Sequence, residues 1–395
     1  MEECRKGLAW ERLAACVPFA PSWKIDWIQI AQAGLGDLLE RMKEIPQNPL
    51  WHGEGSVWQH TCMVCEELVR MEKFRRLERK KQVELFVAAI LHDIGKLVCT
   101  RQEDGVWTSP NHTAVGAKMA RALLWREYDL AGTGEKQNIR ETICFLIRCH
   151  SVPMHIWEQQ RPERRLIEMA AHGRQAGDFS LELLLCLVEA DMRGRIAADQ
   201  EKRLEELDLC RELALEWNCL HAPYPFASSY AEHAWLNGRL TYADQDLYDD
   251  TWGEVILLSG LPGTGKDTWA SCHHADLPVV SLDSLRDKLG VAPTENQGAI
   301  VQAARTCARE YLRKKQPFVW NATCLSPLIR RKQVSLFESY HARVRIVFLE
   351  TGFETGLERN RGRRHAVPEA VIGRMLDELV PPEQYEAQTV DWYCI

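Results

Sequence analysis

From about Ile25 to Leu220, apolar residues recur at three- and four-residue steps, with Gly, Pro or Asn in the connections. That period turns one face of each segment toward a core and predicts a succession of amphipathic helices. Between His221 and Gly253 the period is lost and Pro, Tyr and Asp accumulate, which marks a domain junction with aromatics to pack it. After Gly253 the pattern changes again. Short apolar runs at VILLS, PVVSL, PFVWN and VRIVFLE alternate with longer helical stretches. Apolar runs without polar alternation suit strands covered on both faces, so this part predicts an α/β domain with a parallel sheet. The expected organisation is an all-α domain over 1–220, a connector over 221–253 and the α/β domain over 254–395.

In the helical part, phase singles out polar residues on apolar faces. His60 follows Val57 by three and precedes Val64 by four. His112 shares a face with Val115, Met119 and Leu123, His150 with Ile139, Ile143 and Leu146, and Asp191 with Leu184 and Val188. The tandem His92-Asp93 in VAAILHDIGK follows an apolar helix, and adjacent helical positions diverge by about 100°, so the pair can straddle one ion. Taken singly, each His reads as a hydrogen-bonded core residue. A buried carboxylate such as Asp191 is costly unless paired or metal-bound, and segment after segment aiming His or Asp inward reads as one site. Imidazole and carboxylate together suit one or two divalent transition ions such as Mn²⁺, Ni²⁺ or Co²⁺. Such an ion polarises a phosphoryl oxygen and acidifies water, which points to phosphate-ester hydrolysis. Lys96 and Arg195, one turn beyond Asp93 and Asp191, are placed either to bind the ester's phosphate or simply to face solvent. Cys62 and Cys65 have no second CxxC partner and read as helix surface and core.

In the α/β part, Gly260-Leu-Pro-Gly-Thr-Gly-Lys266 fits GxxxxGK between a strand and a helix. Gly260, Gly263, Thr264 and Gly265 supply a loop whose N–H groups can curl around phosphate, and Lys266 can reach the β and γ phosphates. The expected cofactors are ATP or another NTP, with Mg²⁺ or Mn²⁺. Asp267 stands where such loops normally carry Ser or Thr, and Thr268 follows it. Thr268 is expected on a phosphate, and Asp267 on the metal directly or through water. Asp283 lies just past the second run, on the edge where doubly wound sheets bind ligands. It reads either as a base for an attacking hydroxyl, with Arg286 on a substrate phosphate, or as a helix cap. Asn321 also ends a strand, and Arg359, Arg361, Arg363 and Arg364 precede AVPEAVIGRM, a position suited to a helical lid.

The 395 residues, 46% hydrophobic and 27% charged, suffice for two or three cores. The chain has no apolar run of about 18 residues, and its start, MEECRKGLAWERLAAC, lacks a leader's apolar stretch, so neither a membrane span nor export is expected. Fourteen scattered Cys suit reduced thiols in a cytoplasm. Net charge is −7, made of +1 from Thr251 onward and −8 before it, which argues against indiscriminate nucleic-acid binding. Basic residues are bunched at Arg313 to Lys315, Arg330 to Lys332 and Arg359 to Arg364, as local phosphate grips or solvated faces.

GLPGTGKDT, the DxxR of Asp283 and Arg286, and LERNRGRRHAVPEAVIGRM resemble the loop, base motif and lid of phage-type 5′-OH polynucleotide kinases over roughly Glu254 to Val380. The resemblance implies Lys266 and Thr268 on the donor phosphates, Asp283 as general base, Arg286 on the acceptor phosphate, and Arg359 and Arg363 as lid clamps. Asp267 departs from that pattern, and the lid spacing is slightly shorter. The order His60, His92-Asp93, His112, His150, Asp191 resembles the HD phosphohydrolase superfamily over about Asn48 to Arg195. It implies a principal metal site of His60, His92, Asp93 and Asp191, with His112 and His150 completing a second ion or binding phosphate. Together the halves resemble bacterial bifunctional RNA end-healing enzymes. These would take RNA or DNA strand ends as partners and pass their products to an RNA ligase. A small-metabolite kinase fused to an HD nucleotidase or cyclic-nucleotide phosphodiesterase is the rival reading. A nucleotide-sensing P-loop half is a third.

Overall fold

The computed structural model describes residues 9–290 and 298–395; the first part of the stretch searched for a leader, residues 1–8, lies outside them. The chain divides into two compact units, Met1–Leu130 with Glu135–Pro225, and Ala131–Gly134 with Phe226–Ile395. No helix among the described residues is long and apolar enough to cross a membrane. No described cysteine is in a disulfide.

The first unit is helical with one exception. Strands β1 (Arg101–Glu103) and β2 (Val106–Thr108) form an antiparallel hairpin that pairs Gln102 with Trp107. Its turn residues Asp104 and Gly105 both take positive φ, 50° and 81°. This is the Asp-Gly turn whose twist matches paired strands, so the all-helical expectation fails at these eight residues for a local reason. Helices Val57–Arg70 and Leu181–Arg193 pack against each other. The first is closed by a capping box of Ser56 and Gln59, the second by Ser180. Helix Arg79–Leu91 is buried on every face from Gln82 to Leu91, so its apolar residues show no stripe. It ends at Leu91, which places His92 and Asp93 in the following turn rather than on a helix. Gly95 brings this turn onto the start of helix His112–Arg126, since a Cβ there would lie 2.0 Å from the His112 carbonyl oxygen.

The second unit holds a five-stranded parallel sheet in the order β4-β5-β3-β6-β7: β3 (Glu254–Ser259), β4 (Val279–Ser281), β5 (Val319–Asn321), β6 (Arg343–Glu350) and β7 (Thr389–Cys394). Strands β3 to β6 are the four predicted apolar runs. Successive residues feed opposite layers: Val255, Leu257, Val344 and Ile346 enter one core, and Ile256, Leu258, Val347 and Leu349 the other. With both faces covered, the strands read as unbroken apolar runs. Strand β7, TVDWYC, pairs only with β6 at the sheet edge, and its mixed composition did not announce it.

The span 221–253 contains helix Ser229–Leu236, capped by Ser228. Its Trp235 is buried against Phe226. In the basic run Arg330 to Lys332, Arg330 is no phosphate grip. It is 0% exposed, pairs bidentately with Glu386 at 2.6 and 2.7 Å, and donates to the carbonyls of Cys324 and Val380.

Candidate functional site

In the first unit the predicted His and Asp residues converge. His60 Nε2 lies 3.1 Å from Asp191 Oδ1 and 3.2 Å from His92 Nε2. His92 Nε2 is 3.3 Å from Asp93 Oδ2. His112 and His150 reach the other oxygen, Asp93 Oδ1, at 3.4 and 3.8 Å. His112 does so as the first residue of its helix, not from the face it was expected to share, because Val115, Met119 and Leu123 are only half-buried there. His150 stands just past the end of helix Gly134–Cys149.

The opposite ring nitrogens explain the convergence. Nδ1 of His92, His112 and His150 bonds the carbonyl of Ala89, Ser109 and Ile147, at 2.8, 2.8 and 2.7 Å. His60 Nδ1 faces Glu54 Oε1 at 2.9 Å and the Gly194 carbonyl at 3.3 Å. With Nδ1–H donated to a carbonyl, the Nε2 of His92, His112 and His150 presents a lone pair to the centre, the tautomer a metal requires, and His60 does the same once Nε2 gives up the proton it shares with Asp191. Among the described residues three sets of three are spaced to hold an ion: His60, His92 and Asp191; His92, Asp93 and His150; and His52, Glu54 and His60, the last turned to the Nδ1 side of His60. The His60–Asp191, His60–His92 and His92–Asp93 spacings of 3.1, 3.2 and 3.3 Å match the edges of a coordination shell with bonds of about 2.1 Å, and His150 stands wider, at 3.8 Å from Asp93. Asp93, 1% exposed, has neither oxygen in a well-directed hydrogen bond, although Lys96 Nζ lies 2.7 Å from Oδ2. A buried carboxylate left so is costly in the absence of a cation. The donor set therefore fits one or two divalent ions.

Charge is arranged accordingly. Burial alone would raise Asp93 and Asp191, but Lys96 and His92 beside the first, and Arg195 and His60 beside the second, hold both well below the usual carboxylate range. Burial pushes His150 down to about 3 and also lowers His112, so both rings are neutral at pH 7. Burial opposes the charged form of His60 too, but its hydrogen bonds to Asp191 and Glu54 raise it. Arg195 grips Asp191 with contacts of 2.8 to 3.1 Å. Lys96 also donates to Gln47 Oε1 at 2.6 Å. Lys96, Arg195 and His112 line a cavity of about 320 Å³, with most of the ligand set behind its wall.

Three contributors escaped sequence reasoning. Glu54 takes His52 and His60 on one oxygen, at 2.8 and 2.9 Å, and the Ile196 N–H on the other at 2.9 Å. Burial would raise its carboxyl, but these partners hold it well below the usual range. Burial pushes His52 down to about 4, so His52 is a neutral donor to Glu54. Gln47 fixes Lys96. All three lie in the irregular segment before Val57, where no periodicity can point inward.

In the second unit the GxxxxGK loop joins β3 to helix Lys266–His273. Gly263 has φ 84°, and a Cβ there would meet the Gly356 carbonyl oxygen at 2.2 Å, so only glycine closes the loop. Lys266 Nζ donates across it to the carbonyls of Gly260 and Leu261, at 3.0 and 2.8 Å. Burial, with Arg363 nearby, pushes the Lys266 ammonium down to about 8. Thr264 is turned inward, its hydroxyl donating to the Leu261 carbonyl, so among the loop residues its side chain is not offered to a ligand. Lys266, Asp267, Thr268, Asp283 and Arg286 line a cavity of about 300 Å³. Arg359 and Arg363 line it too, whereas Arg361 pairs outward with Glu369 at 2.7 Å.

Asp283 is not the cap of its helix. Ser281 is, through the N–H of Ser284, which leaves the Asp283 carboxylate facing the cavity with Arg286 on one oxygen and Arg363 at 2.8 Å on the other. Asp267 Oδ1 accepts from Asn321 Nδ2 at 2.5 Å. Asn321, 7% exposed at the end of β5 and noted in the sequence only as a strand end, is a member of this site. The lining of Lys266, Asp267, Thr268 and two to three arginines fits a nucleoside triphosphate with Mg²⁺.

Residues 57–177 match the family model described as the HD domain, and residues 255–382 the one described as the AAA domain. The HD match stops short of Asp191 and Arg195. Among solved structures, the crystal structure of a gluconokinase from Sinorhizobium meliloti 1021 is similar over 33% of this chain and 77% of its own, at 21% identity and a TM-score of 0.25. The chain is thus a helical HD domain followed by a P-loop kinase-like domain with a five-stranded parallel sheet.

Proposed function

We propose that the chain repairs broken RNA ends of the wrong polarity. The HD unit removes a 2′,3′-cyclic, 2′- or 3′-phosphate, and the P-loop unit phosphorylates the 5′-OH at the expense of an NTP. The observation that carries this reading is Asp283. Its carboxylate faces the same cavity as Lys266 and is flanked by Arg286 and Arg363, cations of the kind that hold an acceptor already bearing a phosphate. A strand end with a 5′-OH is such an acceptor.

In the kinase half, Asp283 orients the hydroxyl and takes its proton as the oxygen bonds to the γ phosphorus. The bond to the β–γ bridging oxygen breaks, and the NDP leaves with that electron pair. Lys266 and Arg363 face the charge that develops on the transferring group. In the HD half, Lys96 and Arg195 bind the phosphate at the cavity wall, where His112 also stands, and His60, His92, Asp93, His150 and Asp191 would hold one or two divalent ions. Bound divalent metal supplies Lewis acidity and a lowered water pKa there. As the water oxygen bonds to phosphorus its proton passes to solvent, and the ester P–O bond breaks with its electron pair going to the departing ribose oxygen, which is protonated in turn.

The test incubates the protein with ATP, Mn²⁺ or Ni²⁺, and an RNA carrying a 5′-OH and a 2′,3′-cyclic phosphate. Asp283→Ala should lose 5′ phosphorylation and keep the 3′ reaction, and Asp93→Ala should do the reverse. Phosphorylation of a free sugar or nucleoside but not of the RNA would sink the proposal.

A further inference from the structure

The rim of the HD unit's cavity carries two indoles without partners. Trp51 ends a turn closed by Asn48, which accepts the Leu50 N–H on Oδ1 at 3.0 Å and the Trp51 N–H on its carbonyl at 3.1 Å. Trp107 is the middle residue of β2, two positions before Ser109, whose carbonyl anchors His112. Both rings line the cavity of about 320 Å³ that also presents Lys96, His112 and Arg195. Trp51 is 49% exposed. Among the described residues neither indole N–H donates a hydrogen bond and neither ring packs against another. By contrast Trp27 and Trp58 meet at 4.8 Å, and Trp235 meets Phe226 at 5.4 Å. An exposed Trp51 and a half-buried Trp107 beside a wall of cationic side chains suit a ligand with a planar apolar part joined to a phosphate.

We infer that this cavity binds the terminal nucleobase of the phosphoester substrate by stacking on Trp51 and Trp107, and that the base is held without regard to its identity. The inference rests on the phosphoesterase half of the proposal above. Indifference to the base follows from the amides beside Trp51, whose acceptor oxygens are committed. Gln47 spends its oxygen on Lys96 and its amide nitrogen on the Ser56 carbonyl, and Asn48 Oδ1 is held by Leu50. Stacking faces remain, and every base has one. The two rings come from separate segments, Trp51 from the turn before His60 and Trp107 from β2 between Asp93 and His112, which lets them fix the sugar's 2′ and 3′ oxygens over the wall rather than merely add area.

The experiment compares two RNAs ending in a 2′,3′-cyclic phosphate, one with its terminal base and one whose terminal ribose lacks it. The expected result is that wild-type kcat/KM favours the base-bearing end by roughly tenfold to a hundredfold. Trp51→Ala and Trp107→Ala should erode that preference, mainly through KM, while turning over the base-free end at the wild-type rate. The four bases at that position should differ little among themselves. Equal turnover of both ends by wild type overturns the base site and leaves the phosphoesterase reading intact. No turnover of either end overturns both. If the tryptophan variants slow both ends alike, the rings are structural and the inference fails.

Discussion

Glu54→Gln is the most informative single change, because it removes one charge and one acceptor oxygen and alters almost no volume. In the wild type, one Glu54 oxygen accepts from His52 and His60 and the other from the Ile196 N–H. A glutamine has one acceptor oxygen. If it serves the two imidazoles, its amide opposes the Ile196 N–H, and if it serves Ile196 the imidazoles lose their acceptor. Either way one buried group is left unpaired, a cost of about 1–3 kcal/mol to the fold. The metal feels a second effect. A carboxylate on Nδ1 makes His60 Nε2 a better ligand and holds its ring in place, and removing such outer partners typically weakens metal binding by about 10–100-fold, or roughly 1.4–2.7 kcal/mol. Chelator-stripped protein titrated calorimetrically with Mn²⁺ should show that rise in Kd, with phosphoesterase activity restored in part by excess metal and NTP-dependent phosphorylation unchanged. An unaltered Kd in a folded variant would refute the role given to Glu54, and with it the tautomer argument for the whole cluster.

Three further outcomes are expected. Glu84, fully buried with neither oxygen hydrogen-bonded and Asp178 nearby, is pushed up to about 8, chiefly by burial. The folded state therefore keeps a proton that the unfolded chain releases above about 4.5, so Glu84 erodes stability progressively from there to pH 8, by at most roughly 5 kcal/mol. Glu84→Gln should accordingly raise the melting temperature at pH 8 and lose that gain near pH 5, as followed by scanning calorimetry. Arg330→Ala would strand Glu386 in the core and should destabilise the second unit by about 3–5 kcal/mol in a denaturant titration, whereas Arg331→Ala, at an exposed position, should change little. Asn321→Ala should raise the Mg²⁺ needed for half-maximal phosphorylation by roughly tenfold, the loss of one hydrogen bond to a charged group, and leave phosphoesterase activity alone. An unchanged Mg²⁺ curve would separate Asp267 from the metal.

The sequence by itself determined the two-part architecture, because periods of three to four residues and runs without period each admit few packings. Four of the five strands were legible as apolar runs, since both faces of β3 to β6 are covered. Strand β7 was not legible, because Thr389 and Asp391 interrupt its apolar residues and all but Val390 are only half-buried. The inward phase of His60 and Asp191 was legible for the same periodic reason. The phase of His112 was not, since a first-turn residue reaches its target from the helix end. What only tertiary structure decided is which partner each group meets. Glu54 and His52 sit in an aperiodic turn, and Asn321 is bound to Asp267 across 54 positions of sequence. Arg330 and Arg363 both sit in basic runs read as phosphate grips or solvated faces, yet one is sealed against Glu386 and the other, also read as a lid clamp, faces Asp283. Periodicity reports burial, which is local and cumulative along a chain. Pairing depends on where separate segments are brought together, and no repeat in the sequence records it.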